Sequence, residues 1–302
     1  MNEIEVKPME TLFQSVEELV ERAEARKSSI SATMIAVEQE TTGQSYEEIM
    51  QRMERNLQTM EAAVAKGIAG VRSYSGLTGN DAKRLDAHLR AKKNILDETF
   101  VKAITYAIAT NEVNAAMGLI CATPTAGSAG VVPGVVLAFA EKLAASRQDI
   151  LNALFTAAAF GIVTANNAFI SGAEGGCQAE IGSAAGMGAA ALVELAGGSP
   201  REAANAFAIA LKNTIGLACD PVAGLVEIPC IKRNASGSSI AMSAAEMALA
   251  GIESNIPADE VIEAMYRVGK SMSPDIRETG VGGLAGTRTG KKIAKQLFVR
   301  EQ

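Results

Sequence analysis

The chain has 302 residues and a net charge of −6, is 48% hydrophobic but only 4% aromatic, and holds 28 Gly and no Trp. That acidic balance leaves no basic footprint for nucleic acid or anionic lipid, and four cysteines over this length are too few for a disulfide framework. A core without aromatic bulk has to come from Ala, Val, Leu, Ile and Met, and small residues of high helix propensity predict packed helices rather than a sheet sandwich.

The opening MNEIEVKPMETLFQS has neither a basic n-region nor an apolar h-region, so no signal peptide is expected and a cytoplasmic, reducing compartment is. Leu12, Phe13, Val16, Leu19, Val20 and Ala23 mark one face of a first helix. A second opens at Ser45, whose capping box is completed by Glu48, and is expected to bury Ile49, Met53, Leu57 and Met60. Residues 72–80 are a polar, Gly-containing connector. The texture changes near residue 75, which predicts an amphipathic helical layer over residues 1–75. Residues 76–302 are then the helical domain that carries the chemistry, the two integrated in one unit.

Residues 113–140 and 150–173 hold no charged side chain and are long enough to span a bilayer. The first is broken by Pro124, Pro133 and four glycines, and the second carries Asn152, Thr156, Thr164, Asn166 and Asn167. Neither has a Trp/Tyr belt, so both read as buried core helices and a membrane carrier is disfavoured. Ser199-Pro200-Arg201-Glu202 is a helix start with cap, N1 proline and first-turn acid, and residues 256–260 predict another. Residues 280–290 (GVGGLAGTRTG) read as a loop. With alternating β-branched runs almost absent, the prediction is an all-α multi-helix bundle with a small-residue core and Gly-rich loops carrying the site.

Cys177, Cys219 and Cys230 lie in EGGCQAE, GLACDPVAG and IPCIKRN, 42 and 11 residues apart, a spacing that fits no zinc module. Taken singly, each is as compatible with a small core filler as with a ligand, and Cys121 reads as filler or pocket wall. Should the three share a metal, a histidine is wanting. The sole one, His88, lies in DAKRLDAHLRAKK and reads as a solvated surface side chain. Three thiolates without His favour an iron–sulfur cluster over zinc.

The hydroxyl- and Gly-rich PTAGSAG of residues 124–130 enters a helix predicted over 131–144, where backbone N–H groups suit a carboxylate. The same pattern also fits an ordinary helix–helix turn. KRNASGS at 232–238 follows Cys230 and either faces what the cysteines bind or caps a helix. The 280–290 loop is no Walker A, since Ala285 replaces the required Gly and Lys292 the Ser/Thr. It follows no predicted strand either, so both nucleotide readings fail.

Residues 121–136 (CATPTAGSAGVVPGVV), 171–182 (SGAEGGCQAEIG), 219–230 (CDPVAGLVEIPC) and 286–291 (GTRTGK) resemble the α chain of bacterial iron–sulfur L-serine dehydratase in its two-chain form. The likeness covers most of residues 104–292. It implies deamination of L-serine to pyruvate and ammonia with a 4Fe–4S cluster on three cysteines, which map onto Cys177, Cys219 and Cys230. It also implies substrate contact through the Pro-Thr-Ala-Gly loop, with Thr123, Thr125 and Ser128 as binding residues, and the polar run after Cys230 adds Asn234 as a further binding candidate. Lys212, Lys232 and Arg288 are then cations for orienting the substrate carboxylate, or else plain surface charges. Single-chain relatives carry a further domain with a Gly-Pro-Ser-Ser-Ser-His-Thr motif that this chain lacks. A separate β chain is therefore expected to supply that part, including the base, a His, that takes the Cα proton.

Other readings stay open from sequence. A pyridoxal-phosphate dehydratase would need a Schiff-base lysine on an α/β framework. A non-catalytic helical scaffold or regulatory subunit would bind a partner through its apolar face.

Overall fold

Thirteen α-helices and no strand make up the computed structural model over the residues it describes, 13–298. The protein is all-α. Leu12 of the first predicted face lies outside the described residues. Phe13, Val16, Leu19, Val20 and Ala23 are buried as the periodicity requires, the last four on α1 (Val16–Ala25). The helix that opens at Ser45 is α3 (Tyr46–Ala69), with its capping box formed and Ile49, Leu57 and Met60 buried. It is the third helix rather than the second. Between them lies α2 (Ile30–Thr42), capped by Ser29, whose buried set includes Ser31 and Thr33 and therefore shows no clean apolar stripe.

The centre of the molecule is α9 (Ser183–Leu195), built almost wholly from Ala, Gly and aliphatic residues. It packs against α6 (Val131–Leu143), α7 (Arg147–Asn167), α10 (Pro200–Lys212) and α11 (Cys230–Leu249). Small side chains allow this. A Cβ on Gly186 would stand 2.6 Å from the Phe207 ring, which itself stacks on Phe160 with centroids 5.0 Å apart. The predicted start at Ser199 is a complete capping box with Pro200 at the first position.

The N-terminal helices join this core directly: α1 packs on α10, α2 on α7, and α3 on α5 (Glu98–Ala115). One hydrophobic cluster runs from Phe13 to Met265, across the residue-75 boundary. By length and hydropathy α7 alone among the described residues could cross a membrane, yet 61% of its most apolar window is buried against the other helices. The remaining helices are α4 (Asp81–Arg90), the short α8 (Gly172–Gly175), α12 (Ala258–Ser271) and α13 (Arg288–Phe298). The loop expected over 280–290 ends earlier than predicted, because Arg288 and Gly290 already belong to the first turn of α13.

Candidate cysteine site

Three turns bring three thiols together. After α8, Gly176 takes a φ of 76°, and Cys177 then leads into a π-helical turn (Gln178–Gly182) that continues as α9. Such wide turns are frequent at functional sites. Gln178 locks this segment in place. Its Nε2 donates to Gly175 O and Met265 O, both at 2.9 Å, and its Oε1 accepts from Gly216 N at 2.9 Å. Cys219 lies on the stretch after α10 and pairs with the chain around Arg277, its N–H donating to Ile276 O at 2.8 Å. Cys230 is the first residue of α11.

All three are free and buried. The Cys219 thiol hydrogen-bonds Cys177, and that bond, together with the Arg233 guanidinium, holds the Cys177 thiol below its ordinary range despite burial. The same bond and burial push Cys219 up, and burial pushes Cys230 up to about 12. Cys121, half-buried against the hydrophobic core, is shifted upward by burial alone.

Among the described residues no three His, Cys, Asp or Glu side chains converge on a single-ion position. A cubane does not ask for that, since its ligands stand at separate corners. In other respects the donor set fits one. It is all sulfur, arises from three independent segments, and has a cation beside it, while His88 is exposed on α4. Space beside the thiols is also kept clear: a Cβ on Gly172 would lie 2.6 Å from Cys219 Sγ and 2.8 Å from Glu180 Oε2.

The 123–130 loop borders this group. Thr125 Oγ1 donates to Glu180 Oε1 at 2.7 Å and lies 3.2 Å from Ser128 Oγ. Ser128, fully buried, donates to Thr123 O at 3.0 Å, and Thr123 Oγ1 reaches Ala129 O at 3.4 Å. Asn234, one turn into α11 from Cys230, accepts from Gly130 N at 2.9 Å and donates to Gly127 O and Cys230 O at 2.8 and 2.9 Å. It ties the loop to the cysteine helix.

Residues 25–285 match the profile of the "Serine dehydratase alpha chain" family. The chain belongs to that family. It is 58% identical over 95% of its length to the "Probable L-serine dehydratase, alpha chain" of Bacillus subtilis, covering 96% of that protein. It is 41% identical over 96% of its length to the "L-serine dehydratase, alpha chain" of Peptoniphilus asaccharolyticus, covering 99% of it. Against "L-serine dehydratase 1" of Escherichia coli the identity is 38%, over 90% of this chain but only 61% of that longer protein.

Within this family member the predicted cations lie in three places. Lys212 Nζ donates to Ser254 O at 2.6 Å, tying the end of α10 to the loop before α12. Lys232 pairs with Asp81 Oδ2 at 2.9 Å on the exposed side of α11. Arg288 is exposed at the start of α13. None of the three is brought to the thiols. The site instead uses residues that sequence reading passed over. Arg233 donates to Ala218 O at 2.7 Å and Asp220 Oδ1 at 2.8 Å, and Asp220 Oδ2 accepts from Leu284 N at 2.7 Å. Glu180 lies 3.9 Å from Cys219 Sγ. Burial pushes its carboxyl above the ordinary range, against the Thr125 hydrogen bond.

Proposed function

We propose that this chain is the alpha subunit of a cytoplasmic iron–sulfur L-serine dehydratase, which converts L-serine to pyruvate and ammonia together with a separate β chain. One observation carries the reading: Cys177 and Cys219, free and buried, pack together, and Cys230, also free and buried, lies within electrostatic reach of Cys177 on a helix that Asn234 ties to the hydroxyl-rich loop. The names of the relatives support the reaction and, through the words "alpha chain", the partner. An all-α fold lacks the α/β framework that the pyridoxal reading required.

Cys177, Cys219 and Cys230 would hold a 4Fe–4S cluster. When bound, the cluster supplies a Lewis-acidic iron for the C3 hydroxyl, which is a poor leaving group as hydroxide. The chain's own residues do the rest. The positive charge of Arg233 offsets part of the thiolate charge, and Gly172 leaves room beside Cys219. Thr125, the half-buried hydroxyl of the loop, binds and orients the substrate, while Thr123, Ser128 and Asn234 fix the loop that presents it. Lys212 and Lys232 are engaged elsewhere, which supports structural roles for both. Arg288, exposed at the start of α13 and away from the thiols, is equally removed from substrate contact. The base that removes the Cα proton comes from the β chain, and positioned proton transfer contributes on the order of 10²–10⁴-fold.

The test is anaerobic reconstitution of the chain and of Cys→Ser variants, with iron and sulfide counted. Cys177→Ser, Cys219→Ser and Cys230→Ser should each lose the cluster and Cys121→Ser should keep it. Pyruvate formation should require the added β chain. Iron-free samples that still turn over serine would overturn the reading, and a chain taking up neither iron nor sulfide would revert to a scaffold.

A further inference from the structure

We propose that the groove between the turn at residues 72–77 and α13 is the docking surface for an acidic segment of the companion subunit. The inference rests on the two-chain reading above. The groove encloses about 800 Å³ and is lined by five cations, Arg72, Arg288, Lys291, Lys292 and Lys295, with no carboxylate among its lining residues. In a chain of net charge −6 this is a local inversion of sign.

The four cations of α13 stand at i, i+3, i+4 and i+7, one face of the helix over about 10 Å at 1.5 Å per residue. Like charges on one face repel, and Arg288 stands at the helix N-terminus, where the helix dipole disfavours a cation. Elsewhere Arg22, Arg52, Arg147, Arg201 and Arg267 are neutralised by glutamates. Among the described residues no ion pair reaches any of the five in the groove. An anionic partner from outside the chain relieves all of these costs together.

The occupant fits a protein surface better than a small anion. The groove is open, and its lining sets the half-buried apolar side chains Leu77, Ile293 and Leu297 among the cations. Arg beside apolar side chains is a composition enriched where proteins bind one another. The helix itself is held lightly, its one extensive packing partner being the Val222–Gly224 turn. The longer Escherichia coli relative, of which this chain covers 61%, has polypeptide to spare for such a contact.

Both banks are wired to the thiols. On one side Thr78 donates to Glu227 Oε2 at 2.6 Å, three residues before Cys230. On the other, Leu284 N–H donates to Asp220, next to Cys219. A subunit seated in this groove is therefore linked through hydrogen bonds to the two segments that carry Cys219 and Cys230.

The experiment titrates the full-length chain with the companion β chain by calorimetry at two salt concentrations. The variants are Lys291→Glu/Lys292→Glu/Lys295→Glu and, as a control of equal charge change away from the groove, Lys27→Glu/Lys92→Glu/Lys93→Glu. The triple variant should bind at least about tenfold more weakly, with a shallower salt dependence and unchanged iron content, while the control binds like the parent. Equal affinity of parent and triple variant, or equal weakening by the control, overturns the inference alone. A parent that binds no β chain overturns the two-chain reading and this inference with it. Self-association of the parent that the triple variant loses, with β-chain binding intact, assigns the groove to a second copy and overturns it as well.

Discussion

Thr125 and Glu180, 55 residues apart in sequence, meet through a 2.7 Å hydrogen bond in which the threonine hydroxyl donates to a buried carboxyl. The bond joins the hydroxyl loop to the π-helical turn that follows Cys177, so loop and thiols cannot move independently. Glu180 is only 9% exposed and has the Cys219 thiol on its other oxygen. Thr125→Val deletes the donor without changing shape. It should lower stability by about 1–3 kcal/mol, because a buried acceptor loses its partner, and it should cut serine turnover sharply. Thr125→Ser should restore most of both. Denaturant melts and pyruvate assays on the two variants decide the matter: a valine variant as stable and active as the parent would remove Thr125 from the site.

Asn234 uses its amide at both ends. Its oxygen takes the Gly130 N–H, and its nitrogen feeds Gly127 O and Cys230 O, all without solvent. Asn234→Ala should cost about 2–4 kcal/mol, since it leaves buried backbone groups unpaired. Asn234→Asp should do no better, because an oxygen would then face two carbonyls. Urea unfolding of both variants is the measurement. A loss below about 0.5 kcal/mol, typical of a surface change, would mean that the loop is held by other means.

Arg233 and Asp220 form a buried ion pair at 2.8 Å, with side chains 16% and 7% exposed. The pair fastens α11 to the segment of Cys219 and, through Leu284, to the loop before α13. Removing one partner of such a pair strands the other charge, so Arg233→Met should destabilise by about 3–5 kcal/mol. Adding Asp220→Asn should recover part of that loss, and the coupling is read from a double-mutant cycle. Strictly additive effects would show that the two side chains do not act as a unit.

How far the sequence carried the reading depended on whether the signal was local. The capping boxes at Ser45 and Ser199 lie within four residues, and both formed as read. The helix α2 gives no clear apolar periodicity because its buried Ser31 and Thr33 blur the pattern, and only the cap at Ser29 marks it. At the site, the cysteines were legible as unusual residues in turn-rich segments, whereas their neighbours were not. Glu180 reaches Thr125 and Cys219 across long loops, so no spacing announces it. Its one trace is that Glu174 and Glu180 are the only charges between residues 150 and 193. For α11 a simple rule was available. Residues three and four beyond Cys230 share its face, which selects Arg233 and Asn234 over Lys232.

Glu112 offers a test of the fold that is remote from the thiols. Buried on α5, it caps α4 by accepting from Asp81 N at 2.7 Å and Ala82 N at 3.2 Å. Burial pushes its carboxyl above the ordinary range, and these two amide bonds only partly oppose the shift. A carboxyl whose value is raised by folding binds its proton more tightly in the folded chain. Its contribution is therefore full below the unfolded value of about 4.3 and is lost as pH rises through the folded one. Glu112→Gln keeps an acceptor for one amide and cannot ionise. As pH rises above the unfolded value, the parent should lose stability relative to this variant, measured as the difference between their urea midpoints. Other titrating groups cancel in that difference because both chains carry them. A gap that moves the other way would mean that the two amide hydrogen bonds outweigh burial and that the cap of α4 needs a charged Glu112.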